Sequence, residues 1–479
     1  LAVAVTPDRR ILRLFSLIWL VHTVHWAPYI VREHFPAITL AEQGTLDVSR
    51  FLGWSEDVFR GPRGGAFINN NPGASVLGAV PLALARPLLA AIGRWNATLP
   101  PPVVREPPEG EVYRRAVAER REWYFLAIAF LTVAGLMAPL SALTGALLAR
   151  TLHASGLSRA TAVGIAIVYA VGTPVFFRAE YLNHNLIVGH VGLLAFLLVW
   201  DPARRPPTPL RAAGAGLLAG VAALCDFTGF LVLGVLGLYV WTRAGDGAAT
   251  GRTRLTASFA AAAVPSLLAL LAYQQIAFGN PALPSQHYMP PTAPTAHGYR
   301  GIDWPSLELI WMNFFDPRFG LFVSCPLLAL GLAAPVVRSV PVRMPRREML
   351  FGLGLVWLFV AFCSANQYSR LQYTTGVRYL VPIVPVLLLL ALQVIQAFPP
   401  RVRGWLLALT IAHGWWLAIS RQPLPLVADD LRRGLQLTWV RRMYELGLLE
   451  HPTLVSWTLI LACIACVGLV WREEVACGS

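Results

Sequence analysis

Lysine is absent from this 479-residue chain, so all 39 basic residues are arginine. Charge of either sign is scarce. Only 13% of residues are charged, against about 25% in a soluble globular domain. Cysteine is also sparse, with six in the chain. The one close pair, Cys463 and Cys466, lies inside the last apolar run without a βαβ context, which argues against a redox or zinc role. Apolar residues instead make up 56% of the chain, and mean hydropathy is +0.57. A water-soluble protein of this composition would expose large apolar patches. Soluble dehydrogenases, kinases and nucleic-acid-binding modules are therefore excluded, as is a disordered chain. What remains is an all-α, polytopic membrane protein.

A spanning helix needs about 20 mostly apolar residues. Candidate runs lie near 11–30, 74–93, 124–150, 159–177, 182–200, 210–242, 254–278, 319–338, 348–365, 378–398, 403–420 and 453–471. The 210–242 run is too long for one helix and is expected to break at Cys225–Gly229. The total is then about 12 or 13 spans in a single domain over residues 1–479. The first run follows a short basic start without a cleavage signal after it, and is expected to be a retained anchor. Three polar connections stand out. Residues 31–73 form a first loop expected to hold short interfacial helices, and 279–317 a second loop rich in Pro, His and aromatics. Residues 421–452 read as an amphipathic surface segment with Trp439 and Tyr444 as interfacial anchors.

The formal net charge is +14, and the arginines are dispersed between apolar runs, which does not suit nucleic acid. They suit topology and anionic lipid headgroups. Arg204/Arg205, Arg252/Arg254, Arg338–Arg347 and Arg401/Arg403 fall in alternate short loops, expected on the cytoplasmic side. His184, Asp226, 279–317, 366–377 and 421–452 then share the opposite, extracytoplasmic side. Parity fails by one through 94–158, so one segment of 74–150 is either re-entrant or misassigned.

Ionisable groups at membrane depth are costly and point to function. On the outer side they gather. The first loop brings Arg32, Glu33, Glu56, Asp57 and then Asn69-Asn70-Asn71; later elements add His184, Asp226, Arg318, Arg370 and Arg378. Each has a plainer reading. Asp57 suits a base or a loop cap, and Glu33 a base or a local pair with Arg32; Glu56 reads as solvated. His184 suits a phosphate contact or a carbonyl bond, and Asn69–Asn71 suit substrate hydrogen bonding or a helix cap. Arg378 suits phosphate binding or snorkelling to headgroups, with Arg318 and Arg370 weaker versions of the same case. Asp226 needs either a structural partner or a site role. His190 reads as a helix–helix contact, and His22 and His25 as packing rather than metal ligation.

The order of several segments resembles the GT-C superfamily of integral-membrane glycosyltransferases, most closely the bacterial family-39-like or protein-mannosyltransferase-like members. The segments are Ala37–Gly44, Ala66–Gly73, Asn183–Asn185, Leu224–Phe227, Phe315–Pro326 and Gly376–Pro382. They cover roughly residues 10–400 in order. Asn69 and Asn70 stand where the family's second-span motif carries an acid and a lysine. The resemblance implies transfer of a sugar from a polyprenyl-phosphate donor to a hydroxyl of a lipid, glycan or protein. It implies inversion at the anomeric carbon, with Asp57 or Glu33 as base and Arg378, His184, Arg318, Arg370, Asn69 and Asn70 about the donor. The site would face the extracytoplasmic side of a bacterial inner membrane. A divalent metal is compatible with that chemistry, although no closed ligand set is visible. A transporter or flippase of an anionic lipid-linked substrate, or an O-antigen polymerase- or ligase-like enzyme, would share the arginines without requiring a first-loop acid.

Overall fold

A computed structural model describes residues 9–106, 110–200, 207–243, 249–371, 378–420, 431–432 and 434–476. It is 71% helical, with one two-stranded ribbon among the described residues. The first loop follows α1 (Arg9–Val24) and contains α2 (His34–Gln43), whose end is closed by Gly44 at φ +70° with its N–H on the Leu40 carbonyl. The ribbon pairs β1 (Val58–Arg60) with β2 (Ala66–Ile68) in antiparallel register, Val58 opposite Ile68. Gly64 and Gly65 supply its turn at φ +87° and +73°. Asp47 accepts from the Ala66 N–H and anchors the second strand.

After the ribbon come α3 (Gly73–Leu84), α4 (Arg86–Thr98) and α5 (Glu111–Ala118). The main bundle comprises α6 (Glu122–Ala154), α7 (Arg159–Gly172), α8 (His184–Val199), α9 (Pro209–Cys225), α10 (Gly229–Arg243) and α11 (Ala249–Phe278). A surface helix, α12 (Leu307–Phe315), is followed by α13 (Arg346–Ala365), α14 (Val384–Ile395) and α15 (Pro400–Ser420). The chain ends in α16 (Thr438–Glu445) and α17 (Pro452–Ala476). Every residue of α14 is buried, as suits a helix that is apolar all round apart from Gln393.

Five helices are long and apolar enough to cross a membrane: α6, α11, α13, α15 and α17. A sixth is obtained if α3 and α4, bent by 76° at Ala85, count as one. The other expected spans are shorter, for local reasons. The 210–242 run does break at 226–228, giving two helices of 17 and 15 residues. The 319–338 run contains only a helical turn, Leu321–Ser324, and a 3-10 stretch, Pro326–Ala333, among its described elements. Cys325, at φ −152°, is held extended by the following proline. The 378–398 run is α-helical only over α14, after a 3-10 turn at Val381–Ile383.

The helices run between two ends. α8 starts at His184 and rises about 24 Å to Val199. Near that far end, Gln393 of α14 and Gln396 just past it hold the backbone of residues 334–344 through both amide groups. The 31–73, 226–228, 286–289 and 366–371 segments gather at the His184 end. The arginine-based loop assignment thus sorts described loops into the same two ends; Arg204/Arg205 and 372–377 lie outside the described residues. The α3–α4 pair starts and finishes at the His184 end. Gly73 packs on Leu224 and Cys225, while Asn96 near the end of α4 bonds Glu122 at 2.8 Å. Tyr124 in turn bonds Glu42 of α2. The 76° bend suits either a broken span or a re-entrant loop.

In the 421–452 segment, of which residues 421–430 and 433 lie outside the described residues, Trp439 and Tyr444 are both half-buried. Trp439 donates to the Val24 carbonyl at 2.9 Å and stacks on Trp26, while Tyr444 lies under the Arg105 guanidinium. Trp439 thus packs on the end of α1, and Tyr444 on the connection between α4 and α5.

Close packing of α9 on α11 depends on absent side chains. A Cβ at Gly216 would lie 2.0 Å from the Phe259 carbonyl oxygen, and one at Gly220 would lie 2.9 Å from that of Ala263. Small residues four apart let two backbones meet. Gly216→Val is expected to force α9 off α11, lowering stability by about 1–3 kcal/mol. Thermal unfolding in detergent checks this, and an unchanged midpoint would refute the contact.

Candidate active site

The ribbon register carries the first step of the site. Val58 pairs with Ile68, so the next positions outward, Asp57 and Asn69, face each other. Asn69 Nδ2 donates to Asp57 Oδ1 at 2.7 Å. The next two asparagines reach other elements. Asn70 Nδ2 donates to Glu33 Oε1 at 2.9 Å, and Asn71 Nδ2 to the Ala223 carbonyl of α9 at 2.9 Å. None of the three caps α3, whose N-cap is Pro72 without a side-chain bond.

Glu33 is the hub. Its Oε1 also accepts from Arg32 Nε at 3.1 Å and His184 Nδ1 at 2.8 Å. Arg32 reaches the other way as well, with Nη1 3.2 Å from Asp57 Oδ2. One guanidinium therefore bridges two carboxylates of the first loop. His184 is delivered by the start of α8, where Asn183 caps the helix by accepting from the Leu186 N–H. With Nδ1–H on Glu33, its Nε2 accepts from Asn185 Nδ2 at 3.0 Å and lies 3.7 Å from Asp226 Oδ2. Asp226 sits at the break between α9 and α10. Its Oδ1 accepts from the Thr228 N–H and hydroxyl, at 2.8 and 2.7 Å. Asp226 thus has both a structural partner and a place in the cluster.

Burial alone would push the Glu33 carboxyl up; the Arg32 charge, His184 and the Asn70 amide outweigh it and hold the group well below the usual carboxylate range. Burial alone would lower Arg32; Asp57 and Glu33 outweigh it and raise it. Both stay charged at neutral pH. His34, on the first turn of α2, is lowered to about 4 mainly by burial, and is a neutral partner of Thr132 at 3.1 Å.

The two candidate bases differ in access. The Glu33 side chain is 3% exposed and Asp57 39%. Glu56 is exposed, as expected of a solvated loop acid. Arg378 flanks the cluster, with Nη2 donating to the Tyr379 hydroxyl at 2.8 Å and the guanidinium stacked on that ring. Arg318 and Arg370 are drawn elsewhere: Arg318 lies 3.4 Å from Asp316, and Arg370 makes two bonds to Glu308 at 2.6 and 2.9 Å. His190 joins helices through Ser141 and Tyr169. His22 bonds the Ala170 carbonyl, and His25 bonds Val21 and Trp415, both as packing groups.

Several residues of the site were not singled out by sequence. Tyr368 donates to Met289 Sδ at 3.3 Å, and Gln286 donates to the Asn69 carbonyl at 2.9 Å. Arg178 Nη1 donates to the Tyr181 hydroxyl at 2.7 Å, and buried Glu180 accepts the Ala27 N–H through its backbone at 2.7 Å. The signal for the last group was present: Arg178 and Glu180 end an apolar run just before Asn183.

A divalent metal has no ready-made ligand set among the described residues: no group of three or more His, Cys, Asp or Glu there could hold one. Glu33 Oε1 and both Asp57 oxygens already take guanidinium, imidazole or amide donors, and His184 lies between Glu33 and Asp226.

Glu33→Gln removes the negative partner of Arg32 and His184 and is expected to cost about 3 kcal/mol. Because the native carboxyl is depressed, its contribution is fully present above the ordinary value of about 4.3 and is lost only as pH falls further. Unfolding followed from pH 7 to pH 3 in detergent should show that acid-side loss in the unsubstituted chain and not in the variant. Equal acid sensitivity would remove Glu33 from the role of hub.

No family model, curated protein or solved structure matches the chain, so the chemistry of the site is argued from its geometry.

Proposed function

We propose that the chain is an integral-membrane glycosyltransferase of the GT-C type. It moves a sugar from a polyprenyl-phosphate donor to a hydroxyl of a lipid, glycan or protein acceptor. The shorter apolar helices cross beside the longer ones, and the His184 end faces the extracytoplasmic side of a bacterial inner membrane. The observation that carries the reading is the convergence of Glu33, Asp57, Arg32, His184 and Asp226 at one end of an apolar bundle. Arginine-rich loops occupy the other end, as the positive-inside rule requires of a cytoplasmic face.

Sugar transfer needs a carboxylate that an acceptor can reach. Asp57 meets that need, being partly exposed and oriented from both sides by Asn69 and Arg32. In the proposed step Asp57 takes the acceptor hydroxyl proton as that oxygen bonds to the anomeric carbon. The bond from that carbon to the donor phosphate breaks, and its electron pair leaves on the phosphate oxygen. Glu33 is a positioning residue that fixes Arg32 and His184. The lipid tail has a route too. Leu307, Trp311 and Phe315 recur at four-residue spacing along α12 and are exposed, with Trp304 exposed just before them. Glu308 on the same helix binds Arg370 at the site end. A helix with this apolar stripe suits the bilayer interface beside a lipid-linked donor.

Asp57→Asn is expected to reduce transfer from a radiolabelled polyprenyl-phosphate sugar by about 100-fold or more, with donor binding retained. Full activity in that variant would refute the base assignment. Transport of the lipid-linked sugar across proteoliposomes without transfer would favour a flippase.

A further inference from the structure

Arg300 has two features that the transfer reading above does not use. Its backbone is left-handed, at φ +53°, and among the described residues only Arg120 shares this outside glycine. An arginine gains nothing intrinsically from that conformation, so the surroundings must impose it. They do so through a tight turn. Gly301 N–H donates to His297 at 3.0 Å, and Tyr299 and Ile302 exchange backbone bonds at 2.8 and 3.1 Å. The turn is tied to the next segment by Gln367 N–H on Gly301 at 2.8 Å and by Asp303 N–H on Ala365 at 2.8 Å. Gly301 lies flat against Tyr368, where an added Cβ would sit 2.8 Å from the ring.

The second feature is that the half-buried Arg300 guanidinium has no hydrogen-bond or ion-pair partner among the described residues. Several other arginines of this end are committed, while Arg60 on β1 is exposed and also lacks such a partner among the described residues. Arg32 serves Glu33 and Asp57, Arg50 serves Glu42, Arg318 serves Asp316, and Arg370 serves Glu308. The turn that carries Arg300 packs on Tyr368 through the neighbouring Gly301. Contacts then lead from Tyr368 to Met289, from Met289 to Asn69 at 3.9 Å, and from Asn69 to Asp57.

We propose that Arg300 is an anion-binding residue of this site, held in a strained turn so that its guanidinium receives the phosphate oxygens of a phosphate-bearing ligand. The chemistry is that of a planar fork on a phosphate ester. It rests on the transferase reading only for the identity of that ester, a polyprenyl phosphate.

The test uses the full chain in detergent with four probes: a polyprenyl phosphate, the matching polyprenol, phosphatidylglycerol and inorganic phosphate. The unsubstituted chain is expected to bind the polyprenyl phosphate about tenfold or more tighter than the polyprenol. Arg300→Gln and Arg300→Gly should abolish most of that preference, and Arg300→Lys should keep part of it. Arg300→Gly should melt no lower than the unsubstituted chain, because glycine accepts the turn without strain. Arg300-dependent binding of phosphatidylglycerol or inorganic phosphate to the same degree would support the anion site and assign it to headgroups or free phosphate. An undiminished phosphate preference in both Arg300→Gln and Arg300→Gly overturns the inference while leaving the donor reading standing. Arg300-dependent phosphate binding in a chain that transfers no sugar would sink the transferase reading and leave the inference intact.

Discussion

A carboxylate buried at the end of an apolar bundle must be paired, and Glu33 imposes that requirement on everything around it. An uncompensated buried charge costs several kcal/mol, more than any one hydrogen bond returns. Three donors on a single oxygen answer the cost, and each comes from a different place: Arg32 from its own loop, Asn70 from the strand-to-helix connection, and His184 from the first turn of α8. The constraint then propagates. Asn70 can reach Glu33 only if the connection after β2 is fixed, and its neighbours fix it, Asn69 on Asp57 and Asn71 on α9. Gly73 completes the junction, since a Cβ there would lie 2.6 Å from the Leu224 carbonyl.

Much of this was legible in sequence, and the boundary has a physical basis. Apolar runs of about 20 residues marked the long helices because hydropathy is a local property. The break at Asp226 was visible because an acid inside an apolar run is locally anomalous. Arginine placement sorted the loops because it counts residues and needs no contacts. Glu33, Asp57 and His184 were legible as ionisable groups at the edges of apolar runs. Pairings over long sequence separations were not. Arg318 and Arg370 look the same in sequence as Arg378, and only the fold gives the first two their acids, Asp316 and Glu308. Trp439 reads as an interfacial anchor, and an amphipathic helix does not reveal which aromatic it also stacks on; here that is Trp26. The asparagine triplet resembled a helix cap, and only the ribbon register shows that its members diverge.

Helix length was the other gap. Hydropathy marks apolar runs but not where prolines interrupt them. Pro326 and Pro382 fall inside runs that hydropathy treats as continuous, and the helices there are short. A short helix in the middle of a bundle can still join its two ends when neighbours cover it, as α14 shows by burying every residue. Such helices contribute packing rather than lipid contact, and their lengths follow from where the polar cluster must sit.

The shared guanidinium explains why two acids of one loop can divide the work. A carboxylate with three donors on one oxygen is firmly held, and a proton added there would weaken contacts with Arg32, Asn70 and His184 together. Asp57 has less to lose, being partly solvated and bonded through one contact on each oxygen. In the proposed transfer, a proton arriving on Asp57 loosens its attraction for Arg32, and the guanidinium remains satisfied by Glu33. Reversing the roles would leave a buried His184–Arg32 pair without its carboxylate at the moment of reaction. In that proposed transfer, the asymmetry in burial gives the moving proton to the partly exposed acid and leaves the buried acid as the fixed charge against which it moves.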